Sequence, residues 1–133
     1  MNLIVKLACF LVPLVFMSCA KSKDTTVIIW TNNTEIVSYV ELFNATHDKT
    51  KAVVVYKKEP ARSLPPSKDE ITPDIIIGPW LKNSLTKKYF SSTESLFSEK
   101  SVPKSQFYSK ILEYGCINNK QYLIPDSLNL SAI

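Results

Sequence analysis

Three predicted strands of the sequence are each followed by polar or aromatic side chains that could bind a small polar molecule. The strands are 27–30, 74–77 and 121–124. Amide, hydroxyl and carboxylate groups hydrogen-bond hydroxyls while an aromatic ring stacks on a C–H face, which is the chemistry that a sugar requires. Trp80 is the better stacking candidate, because Trp30 ends an apolar run and is expected in the core. The predicted site residues are Asn32, Asn33, Thr34, Glu35, Gly78, Trp80, Asp126 and Ser127.

Several of these residues also have a purely structural interpretation. Asn32 and Asn33 could only shape the turn after the first strand, and Asp126 could cap a local turn. Asp74 is expected to hold backbone amides at a strand edge and to touch no ligand. The sequence alone leaves these alternatives open.

The residues that could support catalysis or metal binding are few and poorly placed. His47 is the only histidine and lies in a polar loop, which is typical of a solvated side chain. Cys116 lies in an apolar segment and is expected to act as a small buried hydrophobe. Asp69 and Glu70 are neighbours in a loop, a poor arrangement for paired acid and base chemistry. We therefore expect no enzyme activity, no metal site and no cofactor.

The positive charge of the chain is small and scattered. The formal net charge is +4. The lysines form no basic stripe with interleaved aromatic residues, so no nucleic-acid partner is expected. They are typical of a solvated surface, and any attraction to anionic lipid would be weak.

A strand–helix–strand unit is predicted to position the first of these loops. Runs 27–30 and 52–56 are apolar and β-branched, which indicates strands covered on both faces. Residues 34–44 predict a helix between them, with Thr34 as its cap. The face expected to be buried consists of Ile36, Val37, Val40 and Phe43.

The middle of the chain predicts an irregular crossover and a third buried strand. Residues 57–73 contain four prolines among charges, so only a single turn near 68–71 is expected there. Strand 74–77 follows, and 81–88 predicts a short helix.

The C-terminal part predicts a helix and a hairpin. Residues 103–114 should form the helix, with Gly115 as a left-handed residue just past its end. Asn118 and Asn119 form a turn able to take positive φ, which leads into strand 121–124. The side chains expected to be buried by the helix are Phe107, Tyr108, Ile111, Leu112 and Tyr114.

Residues 1–18 are predicted to be a secretory signal peptide. The uncharged apolar run 7–17 follows Lys6 and is shorter than the roughly 20 residues that a spanning helix needs. Cleavage before Cys19 would leave this cysteine at the new N-terminus. Phe16-Met17-Ser18-Cys19 resembles the lipobox of bacterial lipoproteins, so Cys19 is the predicted lipidation site and 19–26 a lipidated tether. An ordinary secretory signal with an incidental cysteine and a retained membrane anchor are the alternatives.

Three segments, in this order, resemble the family 1 extracellular solute-binding proteins, the maltose-binding-protein-like receptors of ABC importers. Segment 27–32 is similar to the family's first strand, which ends in Trp. Segment 72–78 is similar to its Gly-x-x-Pro-Asp-Ile strand, and 118–125 to its Asn-Gly-Lys-x-Tyr-x-x-Pro hairpin. The family's glycine before Pro-Asp is absent, and the proline-rich stretch 60–66 replaces the helix that normally precedes it.

The resemblance implies an α/β fold, in which residues 27–133 form an incomplete N-terminal lobe of a type II periplasmic-binding protein. This lobe has three layers, with a mostly parallel sheet flanked by helices, and is truncated before the second lobe. It further implies a lipid-anchored substrate-binding component of an ABC import system for a sugar or similar small polar solute. The implied partners are that solute, ABC permease subunits and the membrane that holds the lipid. The implied location is the cell envelope, facing the periplasm or the exterior.

Two other interpretations remain beside this one. Relatives consist of two lobes that close on the ligand, so the truncated chain could be non-functional alone or a decayed remnant with no transport role. It could also be a surface lipoprotein that acts as an interaction or antigen module. Apolar and polar residues alternate over 128–133, which predicts another strand where the sequence stops. This pattern is expected of a truncated reading frame, of a fragment or of a short protein that pairs with another chain.

Overall fold

A three-stranded parallel sheet is the centre of the computed structural model, which describes residues 24–97 and 102–126. The strands are β1 (Thr25–Thr31), β2 (Thr50–Tyr56) and β3 (Ile75–Ile77), in the order β2-β1-β3. β1 pairs with β2 over all seven of its residues and with β3 over its last three. The strands predicted at 27–30, 52–56 and 74–77 are therefore confirmed, with β1 in the middle.

The helix α1 (Ile36–Thr46) connects β1 to β2 and packs against β2, so the fold is mixed α/β. Asn44 fixes the end of this helix, because its side chain accepts the Ala52 N–H at 2.7 Å and donates to the Ala52 carbonyl at 2.8 Å. The predicted cap was wrong: Glu35, and not Thr34, is the capping position, and its side chain makes no capping bond.

The buried faces of these elements are narrower than predicted. Val37 of α1 is 41% exposed, Val53 of β2 is 44% exposed and Ile75 of β3 is 45% exposed. The prediction that 52–56 is covered on both faces was wrong, because Val53 and Tyr56 are exposed, whereas Ile29 and Trp30 of β1 are buried as expected. Among the described residues, the buried apolar side chains include Ile29, Trp30, Ala52, Pro60 and Leu112.

The crossover from β2 to β3 is irregular, as predicted, and is tied to the sheet by polar contacts. A turn closes where the Glu70 N–H donates to the Ser67 carbonyl at 3.0 Å. The Glu70 carboxylate pairs with the ammonium group of Lys57. Asp74 Oδ2 accepts the Ile28 N–H at 2.8 Å, which confirms that Asp74 holds a backbone amide at the strand edge.

The predictions of a short helix at 81–88 and of a longer one at 103–114 were largely wrong. Residues 81–88 form turns, with a 3₁₀ turn at Lys87–Tyr89, and the second region contains a 3₁₀ turn at Lys104–Gln106 and a short helix α2 (Ser109–Glu113). The backbone between these last two elements is extended, so a continuous helix cannot form. Tyr108 and Tyr114, which were expected to be buried, are 83% and 66% exposed.

The predicted hairpin turn is confirmed, with β4 (Cys116–Ile117) and β5 (Lys120–Gln121) joined by Asn118 and Asn119 at φ 52° and 59°. The strand predicted at 121–124 is wrong beyond Gln121, where β5 ends. Gly115 is not left-handed, contrary to the prediction. It is needed for close packing instead, because a Cβ at this position would lie 1.8 Å from the Leu123 carbonyl oxygen.

Several predictions fall on residues that the structure does not describe. They are the signal peptide 1–18, the lipidated Cys19, the site residue Ser127 and the strand at 128–133. Within the described ranges, no helix is both long and apolar enough to cross a membrane.

Candidate ligand-binding site

The loops after β1 and β3 and the segment after β5 meet around a cavity of about 660 Å³. It lies at the carboxyl ends of β1 and β3, where ligands of open parallel sheets bind. Its size falls within the range of roughly 300–1,000 Å³ that is usual for small-molecule sites. The predicted site residues that line it are Asn32, Asn33, Gly78, Trp80 and Asp126.

The remaining predicted residues do not line this cavity. Thr34 borders a different cavity, of about 330 Å³, between α1 and β2. Glu35 borders neither of the two. The reason is local: the chain turns into α1 at this point, so successive side chains face different sides. Ser127 lies outside the described residues.

A pair of local hydrogen bonds shapes the loop after β1. The hydroxyl of Thr31, which is only 1% exposed, accepts the Asn33 N–H at 3.0 Å. The side-chain oxygen of Asn33 accepts the Glu35 N–H at 2.9 Å and so begins the helix. The structural interpretation of Asn33 is therefore supported, although this residue also borders the cavity.

Gly78 lets the loops after β1 and β3 approach each other closely. A Cβ at this position would lie 3.2 Å from Asn32 Oδ1 and 3.1 Å from Pro60 Cγ. A larger residue would push the Asn32 side chain away from the position that it takes at the cavity.

Trp80 is held outward by a loop that the sequence analysis missed. Trp80 is 84% exposed and its backbone is left-handed, with φ 63°. Such a conformation costs about 1–3 kcal/mol for a bulky residue and requires support from its surroundings. Asn83 supplies it, because its side chain donates to the Trp80 carbonyl at 2.9 Å and accepts the Leu85 and Thr86 N–H groups.

Trp30 has the opposite environment. It is 1% exposed, and the Lys57 ammonium lies 4.4 Å from the centre of its ring. The expectation that Trp30 is a core residue and not a stacking platform is confirmed.

Two residues with polar or charged side chains that border the cavity were not predicted as site residues. Lys82 adds an ammonium group and Tyr114 a phenol. Together with Asp126, they provide hydrogen-bond donors, hydrogen-bond acceptors and both signs of charge at the edge of the cavity. Lys82 follows Trp80 within the same loop, and Tyr114 was assigned to a helix core that does not form, so neither was expected at the cavity.

His47 and Cys116, the histidine and the cysteine among the described residues, make local contacts. His47 stacks on Phe43 with ring centres 4.1 Å apart, and its Nδ1 lies 3.0 Å from the Phe43 carbonyl oxygen. The Cys116 thiol donates to the side-chain oxygen of Gln121 at 3.1 Å. In the part of the chain that the structure describes, no cluster of three or more His, Cys, Asp or Glu side chains could hold a metal ion.

Comparison with known proteins identifies no family for the chain. No protein-family model matches the chain, and no curated protein matches it. The resemblance to solute-binding proteins therefore stays an expectation from three sequence motifs, and the function is argued from the cavity.

Proposed function

We propose that the chain is the lipid-anchored substrate-binding component of an ABC import system, in a truncated form, and that it binds a sugar or similar small polar solute. The observation that carries this proposal is the convergence of three separate loops on one cavity of about 660 Å³. Five residues chosen from the sequence for their binding chemistry border it, at the end of the sheet where such ligands bind.

The side chains at the cavity suit a solute with several hydroxyl groups. The exposed side chain of Trp80 provides a flat apolar surface, and the Asn83 hydrogen bond to the Trp80 carbonyl supports the backbone from which the ring projects. Rigid positioning of this kind raises affinity because less conformational entropy is lost on binding. Asn32, Lys82 and Asp126 provide hydrogen-bonding groups around the ring.

The strand order supports the finer assignment to an incomplete N-terminal lobe of a type II periplasmic-binding protein. The order β2-β1-β3 with parallel pairing is that of a doubly wound sheet around its first strand. In this assignment, the cavity is one half of a site that a second lobe would close. Binding to the single lobe is then expected to be weak, with a Kd of about 1 mM.

The position of the tether also supports a receptor role. The chain enters the sheet at Thr25, the first residue of β1, whereas the cavity lies beyond its last residue, Thr31. Seven strand residues span roughly 20 Å. A lipid attached at Cys19 would therefore leave the cavity facing away from the membrane.

A titration followed by NMR tests the proposed function. The full chain in detergent micelles is titrated with a panel of mono- and disaccharides. The expected result is a saturable shift of the Trp80 indole N–H and of the Asn32, Gly78 and Asp126 backbone amides. Trp80→Ala should weaken binding at least about tenfold, because about 1.4 kcal/mol of stacking and burial is lost.

The matched control is Tyr39→Ala, which removes another exposed ring, 70% accessible, from α1. It should leave the affinity unchanged. Absence of any saturable shift with every solute, or equal affinities for the Trp80→Ala variant and the unaltered chain, would overturn the proposal.

A further inference from the structure

Trp80 borders two cavities. One is the candidate ligand cavity of about 660 Å³, and the other, of about 170 Å³, lies between the Trp80 loop and the first turn of the crossover, from Lys58 to Arg62. We call the smaller one the side cavity. It is below the range of roughly 300–1,000 Å³ that is usual for a whole small molecule. The side cavity therefore suits one substituent of a solute whose main body lies in the ligand cavity.

The backbone around the side cavity is fixed by local bonds and by a buried proline. Pro60 is fully buried, and Gly78 approaches it so closely that a Cβ on Gly78 would lie 3.1 Å from Pro60 Cγ. The Arg62 and Ser63 N–H groups both donate to the Glu59 carbonyl at 3.1 Å, which closes the turn. The turn is thereby held against the loop that follows β3.

The charged groups at the side cavity are mostly cationic. Lys58 and Arg62 border it together with one acidic residue, Glu59. Arg62 Nη1 donates to Glu59 Oε1 at 2.9 Å, which uses one of the five N–H donors of the guanidinium. The other donors of Arg62 and the ammonium group of Lys58 have no acceptor among the described residues. The side cavity therefore offers hydrogen-bond donors and a net positive charge.

The donors at the side cavity are accessible to a ligand from solution. The side chains of Arg62 and Glu59 are 80% and 55% exposed, so their ion pair is solvated and weak. An anionic group can bind to Arg62 without breaking a buried pair. Lys82 adds another exposed ammonium group at the ligand cavity, two residues after Trp80. Cationic groups thus border both of the cavities that Trp80 shares.

We propose that the solute carries an anionic group, a carboxylate or a phosphate, that enters the side cavity and binds to Lys58 and Arg62 while its ring stacks on Trp80. Ammonium and guanidinium groups recognise such anions through charge-assisted hydrogen bonds. The substrate class is then an acidic sugar or a sugar phosphate, and not a neutral or amino sugar. This inference rests on the proposed function, because it requires the body of the solute in the ligand cavity.

Affinities for matched sugars test the charge of the solute. The full chain in a zwitterionic detergent is titrated with glucose, glucuronate, glucose 6-phosphate and glucosamine and with their galactose counterparts, and the Trp80 indole N–H is followed by NMR. At low salt, a carboxylate or phosphate form should bind at least about fivefold more tightly than the neutral sugar, because each exposed ion pair adds to the affinity. The amino sugar should bind no more tightly than the neutral one. The tighter of the carboxylate and phosphate forms identifies the anionic group.

Salt distinguishes an ion pair from an uncharged contact. In about 1 M NaCl, where the Debye length is about 3 Å, the preference for the acidic form should largely disappear. A preference that stays unchanged in this salt would contradict recognition by the exposed cations.

Lys58→Gln is the test variant, and Lys68→Gln is its matched control. Both remove one exposed ammonium group from the crossover and change the net charge of the chain equally, but Lys68 does not border the side cavity. Lys58→Gln should lower the preference for the acidic form at least about twofold, and Lys68→Gln should leave it unchanged. Arg62→Gln should lower it further than Lys58→Gln, because Glu59 then loses its partner and repels the anion.

The outcomes separate this inference from the proposed function. Saturable binding of neutral sugars without a preference for their acidic forms would overturn the inference and leave the proposed function standing. Equal preferences in Lys58→Gln and Lys68→Gln would do the same. If no solute of any charge shifts the Trp80 signal, the proposed function fails and this inference fails with it.

Discussion

Polar side chains that bond to nearby backbone groups hold the loops around the candidate site. Asn33 starts α1 and Asn83 holds the loop that presents Trp80. Thr31 is buried and stabilises the turn before Asn33. These residues fix the cavity through short, local bonds. Substitution of Thr31 or Asn83, which do not border the cavity, would change its shape through the backbone.

Acid pH should destabilise the crossover because of Glu70. The Lys57 ammonium and the Ser67 N–H hold the pKa of the Glu70 carboxyl below its ordinary value. A carboxyl whose pKa is lowered in the folded chain contributes stability above its unfolded pKa, about 4.3 for glutamate, and loses it as the pH falls through the folded pKa. Urea unfolding from pH 6 to pH 2.5 should therefore show a loss of stability at the acid end that Glu70→Gln reduces.

The comparison with Glu70→Gln isolates this group, because the amide keeps the shape of the side chain and does not titrate. Glu70 is partly exposed, at 34% of its side chain, so salt should weaken the effect. Parallel pH profiles for the variant and the unaltered chain would mean that the Lys57 pair does not contribute in solution.

At the scale of elements, Asp74 connects the crossover to the central strand. Its side chain accepts the Ile28 N–H at 2.8 Å, and its own N–H donates to the Ile28 carbonyl at 2.9 Å. Asp74→Ala leaves the Ile28 N–H without this acceptor and should lower the free energy of unfolding by about 1–3 kcal/mol, measured by urea denaturation.

Asp74→Asn is the matched control for this prediction. It keeps an acceptor oxygen at the same position, so its loss should be smaller than that of the alanine variant. Equal losses for the two variants would indicate that charge, and not the hydrogen bond to Ile28, is what Asp74 contributes.

The elements that the sequence predicted well are those with local signals. β-branched runs gave the three strands, and the Asn118-Asn119 pair gave the hairpin because asparagine tolerates positive φ. The predicted helix at 103–114 is interrupted at Phe107, where the chain also makes a contact with a residue outside the helix. Phe107 has an extended backbone and packs edge-on against Phe97, with ring centres 5.6 Å apart.

The difference between local sequence signals and contacts between separate segments also explains how much of the site could be predicted. Parallel strands bring their carboxyl ends to one edge, so Asn32, Gly78 and Trp80 could be placed together from the strand assignments alone. Tyr114 and Lys82 could not, because irregular segments bring them to the cavity. The rule that parallel strands end at one edge also groups Thr34 with these residues, although Thr34 borders another cavity at the start of α1.

At the scale of the whole molecule, the two ends of the sheet border different parts of the chain. The amino end of β1 receives the chain from the N-terminal residues, and the carboxyl end borders the cavity. A lipid at Cys19 would hold the first end at the membrane and present the second to solution. The lipid attachment is therefore the feature that gives the proposed receptor its orientation.

Lipidation can be tested by substitution of the two cysteines that would remain after signal cleavage. Cys19→Ser should abolish incorporation of labelled palmitate in bacterial cells and move the chain from the membrane fraction to the soluble fraction, because the acyl chains that would anchor it are attached through Cys19. Cys116→Ser is the control and should retain both the label and the membrane location, because that thiol lies within the β4–β5 hairpin and donates to Gln121. If Cys19→Ser lost the label but stayed in the membrane fraction, residues 1–18 would act as a retained anchor. Unchanged labelling of this variant would place the lipid on another residue and remove the basis for the proposed orientation.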